Sequence, residues 1–333
     1  MNRRQMLRTA LAPALVVALA TACSEPQAPV DIDVVDPGTP ATADPSPTPS
    51  LPAAPLTGLP VSAAPVADRQ AVAVPLRVSP STAPAGLDAA DLVYAEFAES
   101  DTLHLTAVFH SRDAAKVGPV TEIRPVDIRS VGVLRPFVGY AGGPKGFRSQ
   151  FDESGLAGIT PADNGGKVFD SGYTSTAALW KAAPKGAQPP SAFLDHASPG
   201  TALAGRDIAP AKELVVTVPG GPPMVWRYDP QKSVWVARVG TVAVTATSVM
   251  VLTTEYRTVT VRHPSPRSLP AAKVFGEGAA VAVSGPSSAK GKWRKPGQEM
   301  VCNVIDLDGE LLHPLPGNTW LIYVPPTAKV TVR

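Results

Sequence analysis

Residues 102–110 alternate strictly between the two sides of an extended chain. Leu103, Leu105, Ala107 and Phe109 fall on one side, and His104, Thr106, Val108 and His110 on the other. This predicts a strand with one face in a core. Residues 92–98 read as a partner strand, and Glu99-Ser100-Asp101 as the turn that makes the two a hairpin. An apolar run at 71–76 precedes the pair. Pro125 suits the first turn of a helix reaching about residue 134. Residues 137–141 form a short strand. Gly142-Gly143-Pro144 then leads into a helix that carries Phe147 and Phe151 on one face. A third helix starts at Thr174 or Ser175, carries Leu179 and Trp180, and stops before Pro184.

The pattern changes near Ala209-Pro210. Beyond it, strands are predicted at 213–218, 225–228, 234–238, 242–252, 256–261, 279–283, 301–307 and 319–324, with Asp229-Pro230 and Asp308-Gly309 as turns. Trp226, Tyr228, Trp235, Trp293 and Trp320 supply bulk for sheet packing. The expected class is α+β: a mixed α/β domain at 56–210 followed by a β-rich domain at 211–333.

The first 22 residues follow neither pattern. Arg3, Arg4 and Arg8 precede an apolar stretch at 11–20, broken only by Pro13. Ten helical residues span about 15 Å, half the hydrocarbon thickness, so the stretch predicts an export signal and not a stable membrane span. Asn2-Arg3-Arg4-Gln5-Met6 resembles a twin-arginine signal, and a plain basic leader reads equally well. Ala20-Thr21-Ala22-Cys23 resembles a bacterial lipobox. That resemblance implies cleavage before Cys23 and a diacylglycerol on its sulfur. Residues 24–55 carry nine prolines among small residues and acids, Pro26 to Pro55. They predict a semi-extended tether reaching tens of ångströms. The expected location is the outer face of a bacterial cytoplasmic membrane, with the lipid as the membrane contact.

Composition narrows the function classes. Lys+Arg number 30 against 28 Asp+Glu; without Arg3, Arg4 and Arg8 the balance is 27 against 28. A neutral body lacks the footprint of a nucleic-acid binder. Hydrophobic residues at 44% support a real core. Cys23 and Cys302 are the two cysteines. Acylation of the first leaves no intrachain disulfide, and the β-like run around Cys302 predicts a buried thiol rather than a nucleophile.

The search for catalytic motifs finds no nucleophile elbow, P-loop, G-x-G-x-x-G after a strand, C-x-x-C or H-E-x-x-H. No metal or cofactor is expected. His104 and His110 share a strand face but stand about 20 Å apart, too far for one ion. One positive candidate is the strand-to-helix junction Tyr140-Ala141-Gly142-Gly143-Pro144-Lys145. Its helix-start amides could hold an anion with Lys145 or Arg148, or its glycines could simply serve a tight turn.

Several segments together resemble the YerB-like lipoproteins, a bacterial family of unknown function. They are Pro55-Leu56-Thr57-Gly58-Leu59-Pro60, Ala89 to Glu96, Val117-Gly118-Pro119-Val120 with Arg124, and Tyr140 to Phe147. Near the end, Asn303-Val304-Ile305 and Pro316-Gly317-Asn318-Thr319-Trp320 also match. The resemblance covers residues 56–325. It implies the same two-domain α+β organisation and no established activity. The family pattern places arginines where His104 and Thr121 stand, and Pro-His-Asn where Phe169-Asp170-Ser171 stand; Arg124 and Tyr173 are kept. These changes argue against carrying over a catalytic role.

The sequence therefore predicts a lipid-anchored, extracytoplasmic binding or scaffolding module, with an envelope protein or a small ligand as partner. A candidate cleft comprises Glu99, His104, Arg124, Tyr140, Gly142, Gly143, Lys145, Asp170 and Tyr173. The rivals are an envelope enzyme, hydrolase-like, using Glu96, Glu99, His104, Arg124 or Asp170, and a small-ligand receptor using the Gly142-Gly143 junction. By regular strand parity Glu96 and Glu99 face opposite ways and make a poor acid–base pair.

Overall fold

The computed structural model describes residues 51–61, 66, 68–99, 101–164, 167–198, 201–203, 207–261 and 266–333. The expectations for the export signal, Cys23 and most of the tether lie outside these residues, as do Ser100, His263 and the Glu99 side chain. Ser50–Arg333 form one compact unit.

The helix-bearing part contains β1 (Val72–Val78), β2 (Leu92–Glu99), β3 (Thr102–Phe109), α1 (Pro125–Val131), β4 (Phe137–Gly139), α2 (Lys145–Glu153), β5 (Gly158–Ile159), α3 (Pro161–Asn164) and α4 (Thr176–Ala182). The strand-only part follows. It comprises β6 (Ala209–Pro210), β7 (Glu213–Thr217), β8 (Met224–Asp229), β9 (Val234–Val239), β10 (Val242–Ala246), β11 (Ser248–Thr253), β12 (Tyr256–Val261), β13 (Arg267–Ala272), β14 (Gly276–Ser284), β15 (Ser287–Lys295), β16 (Asn303–Ile305), β17 (Thr319–Val324) and β18 (Lys329–Val332). The fold is α+β.

Both parts build one large mixed sheet, ordered β16-β15-β14-β11-β17-β2-β3-β1-β4-β5, with β6 paired to β15. The seam is β17, which lies parallel to β11 on one side and to β2 on the other. A second sheet, β10-β9-β8-β7-β18, covers one face of the first. Its Trp226 and Trp235 pack with Val93, Leu105, Phe109, Val251 and Trp320 of the large sheet. The Trp226 and Trp320 rings meet edge-on at 5.1 Å. The opposite face is covered by α1, α2 and the separate β12–β13 hairpin, through Ile128, Phe147, Phe151 and Leu269.

Coverage on both sides corrects the expectation of one buried face for β3. His104, Thr106, Val108 and His110 are buried as well as Leu105, Ala107 and Phe109. The strand is central, so its polar face had to find partners rather than water.

Local chemistry accounts for the element ends. α1 has Pro125 in its first turn, and Asp127 Oδ2 accepts from the Arg124 amide at 2.7 Å. It tightens into a 3-10 turn at Gly132–Leu134. Ser175, and not Thr174, caps α4 by accepting from the Ala178 amide at 3.1 Å.

The strand predicted over 242–252 is two strands in different sheets. Thr247 is the corner. Its amide donates to both the main-chain and side-chain oxygens of Asn318, each at 3.0 Å, while Asn318 Nδ2 donates to the Thr245 carbonyl at 2.8 Å. Gly317, at φ 146°, admits this corner, because a Cβ there would sit 2.0 Å from Thr247 Oγ1. Removing the clamp leaves buried groups unpaired, so Asn318→Ala is expected to cost about 1–3 kcal/mol in urea unfolding, with the m-value unchanged. A cost within error of zero would deny the clamp its role.

Candidate functional site

A polar cluster sits beneath the β12–β13 hairpin on the α1 side of the large sheet. Glu96 on β2 and His104 on β3 are direct cross-strand partners. Both project toward α1, which brings Asp127 and, one residue before its start, Arg124. His104 Nε2 donates to Asp127 Oδ1 at 2.7 Å, and the Thr106 hydroxyl donates to the same oxygen at 2.6 Å. Asp127 Oδ2 is held by the Arg124 amide. Glu96 Oε1 accepts from the Ala272 amide of β13 at 2.5 Å, so one carboxylate holds the hairpin to the sheet. Arg124 Nε lies 3.7 Å from Glu122 Oε1, and Arg267 of β13 pairs with the other Glu122 oxygen.

The cluster is sealed. Glu96, His104 and Asp127 are each 1% exposed and Arg124 is 3% exposed. Burial raises the Glu96 carboxyl to about 7; His104, the Ala272 amide and Arg124 oppose the rise, and Asp127 adds to it. Glu96 Oε2, His104 Nδ1 and Arg124 Nη1 have no hydrogen-bond partner among the described residues. The Asp–His pair resembles an acid–base dyad in geometry. The cluster's four central members are shut away from solvent, while Glu122 and Arg267 at its edge are partly exposed.

The predicted cleft residues divide. His104 and Arg124 are in this cluster. The Tyr140–Lys145 junction runs alongside, because the Ile123 amide donates to the Gly142 carbonyl at 2.9 Å and the Ala141 amide to the Thr121 carbonyl at 2.8 Å. Tyr140 is buried against Phe151, with ring centres 4.9 Å apart, and its hydroxyl is pushed up by burial and by Asp152 and Asp163. Gly142 and Gly143 have φ of 91° and 146°, so the backbone itself requires glycine there. Lys145 is exposed.

Asp170 and Tyr173 lie elsewhere, flanking a two-residue turn in which Ser171 and Gly172 have φ of 49° and 81°. With Lys116, Lys167 and Ser171 they line an open cleft of about 500 Å³. Lys116 Nζ stands 3.9 Å over the Tyr173 ring.

Glu96 and Glu99 lose their parity argument, because the β2–β3 register shifts between Phe97 and Glu99. Cys302 is buried, and burial raises its thiol to about 12, so it carries no thiolate at neutral pH. Among the described residues no group of three His, Cys, Asp or Glu is placed to hold a metal, and no helix is long and apolar enough to cross a membrane.

Sequence reasoning missed Asp127, Glu122 and Arg267 as cluster members. The one available signal was Asp127 three residues after Arg124, the spacing of a helix-start acceptor.

The segments that carried the family resemblance are structural fasteners. Asp91 Oδ2 accepts from the His110 and Ser111 amides at 2.6 and 2.7 Å, and burial raises its carboxyl. The Thr57 carbonyl receives the Gly317 amide at 2.7 Å, tying the first segment to the last.

Residues 56–196 match the profile of the N-terminal domain, and residues 215–321 that of the C-terminal domain, of a protein family of unknown function (DUF3048). No curated protein matches the chain. The crystal structure of the YerB protein from Bacillus subtilis superposes with a TM-score of 0.68 at 22% identity, covering 84% of this chain and 99% of that one. Both domain profiles occur here in order, on a shared fold, and the chain belongs to the YerB-like DUF3048 family.

Proposed function

We propose that this protein is a lipid-anchored, non-catalytic binding or scaffolding module on the outer face of a bacterial cytoplasmic membrane. The observation that carries the reading is Cys23, placed directly after a basic leader, an apolar stretch and Ala20-Thr21-Ala22, and followed by a proline-rich tether. The sealed state of the Glu96–His104–Asp127–Arg124 cluster supports binding over catalysis. A general acid or base works only within hydrogen-bond reach of a reacting atom, and these groups meet only protein.

Intact-mass measurement of protein extracted from membranes tests the anchor. The expected species begins at Cys23 and carries acyl mass. Cys23→Ala is expected to carry no acyl mass and to retain its signal segment. An unmodified chain recovered by salt washing alone would refute the anchor.

A second reading has its own observation. The open cleft of about 500 Å³ beside Lys116, Lys167 and Tyr173 suits a small anionic ligand, which would make the module a receptor.

A further inference from the structure

Strand β15 carries a row of cations that its fold does not use. Lys290, Lys292 and Arg294 alternate with Ala289, Gly291, Trp293 and Lys295, all buried, and all three are exposed. Alternate strand residues lie about 7 Å apart on one face. None of the three forms an ion pair with the described residues. Glu277, opposite Arg294, and Asp308 and Glu310 in the turn after β16 are exposed acids at the border.

The face on which they stand is the one that the second sheet covers further along. That cover reaches β11 and ends at β14, where Val281 is only half-buried. Beyond it the surface is mixed. Ile305 stands opposite Lys292 on β16. Leu307 continues the same outward alternation and is 62% exposed, and Leu311, bridged to Ile305, is 39% exposed. The two leucines add apolar surface beside the cation row.

We infer that the β14–β15–β16 face is a docking surface for an anionic lipid bilayer, which Lys290, Lys292 and Arg294 meet through headgroup phosphates while Leu307 enters the interface. This rests on the reading of Cys23 as a lipid anchor. Each cation near an anionic membrane surface contributes about the same attraction, and exposed apolar side chains add to it. A tether of tens of ångströms keeps the body close enough for this weak face to act by effective concentration. The face then sets which side of the body looks outward to a partner.

The test uses the chain from Ser24 to Arg333, which keeps the whole compact unit and carries no acyl group. It is sedimented with phosphatidylcholine vesicles with and without phosphatidylglycerol. Binding is expected only to the phosphatidylglycerol vesicles and is expected to fade as salt is raised. The triple variant Lys290→Gln, Lys292→Gln, Arg294→Gln should weaken it roughly 100-fold with an unchanged melting temperature. Leu307→Ser should weaken it several-fold.

A control triple at the exposed Lys181, Lys185 and Lys212 should leave binding intact. Absence of binding to phosphatidylglycerol vesicles overturns the inference. So does an equal loss from the control triple, or binding to soluble polyglutamate without binding to vesicles. Because the assayed protein has no acyl chain, any of these results leaves the Cys23 anchor to be judged by mass alone.

Discussion

Replacing Asp127 by Ala is expected to cost about 3–5 kcal/mol of folding stability, the scale seen when one member of a buried charged network is removed. Its two oxygens accept three hydrogen bonds, from His104 Nε2, the Thr106 hydroxyl and the Arg124 amide. The substitution orphans all three donors in a site where none of their residues is more than 3% exposed. It also leaves the Arg124 guanidinium buried with one anion fewer. Asp127→Asn keeps an acceptor at similar shape and should lose less. The readout is the urea midpoint at constant m-value. A loss below about 1 kcal/mol for Asp127→Ala would mean that the cluster is not a structural keystone.

The second large effect is a pair of opposed pH dependences. Burial raises Glu96 from 4.5 to about 7, so the folded state favours its neutral form. Its contribution is therefore complete below pH 4.5 and is lost as pH rises through about 7. The shift of about 2.5 pH units corresponds to roughly 3 kcal/mol. Burial, aided by Arg69, lowers His110 from 6.5 to about 4. Its contribution is complete above pH 6.5 and is lost as pH falls toward 4, a change of similar size and opposite direction. Between about pH 4.5 and 6.5 one residue releases stability as the other restores it.

Single substitutions should separate the two. Glu96→Gln keeps the acceptor for the Ala272 amide and removes the titration. Its stability relative to the unsubstituted protein should climb by about 1.4 kcal/mol per pH unit across the window. His110→Phe removes that titration and should show the reverse slope. Parallel pH profiles for all three proteins would refute the assignment.

Periodicity made the strands of the core legible. β12 and β17 fall at their predicted limits, and the Phe147–Phe151 pair marks the buried face of α2. What periodicity could not see was where alternation is disguised. β15 buries Gly291 and Ala289 beneath exposed lysines, so its apolar face has little apolar mass to announce it. β13 contains Pro270, a strand breaker in most contexts, tolerated here because the hairpin stands apart from the large sheet. The division of residues 242–253 between two sheets depends on Asn318, some 70 residues away, and no local window contains it.

The candidate site was half legible for a related reason. His104 and Arg124 stood out against the family pattern, one as a change and the other as a kept residue. Their union required Asp127 and the hairpin residue Ala272, which are brought to them by packing. Asp170 and Tyr173 stood out for the same kind of reason, yet a separate turn carries them to a different surface.

The position of β17 bears on how the chain is made. Its partners β2 and β11 end at residues 99 and 253, whereas β17 begins only at Thr319. During synthesis or translocation, everything before Thr319 emerges with the middle of the principal sheet still missing, and two long apolar edges wait for an insert. Contacts so remote in sequence are slow to form, and an open edge is an invitation to the wrong strand. A chain released short of Thr319 would carry both hazards permanently, so β17 acts as the lock on the principal sheet.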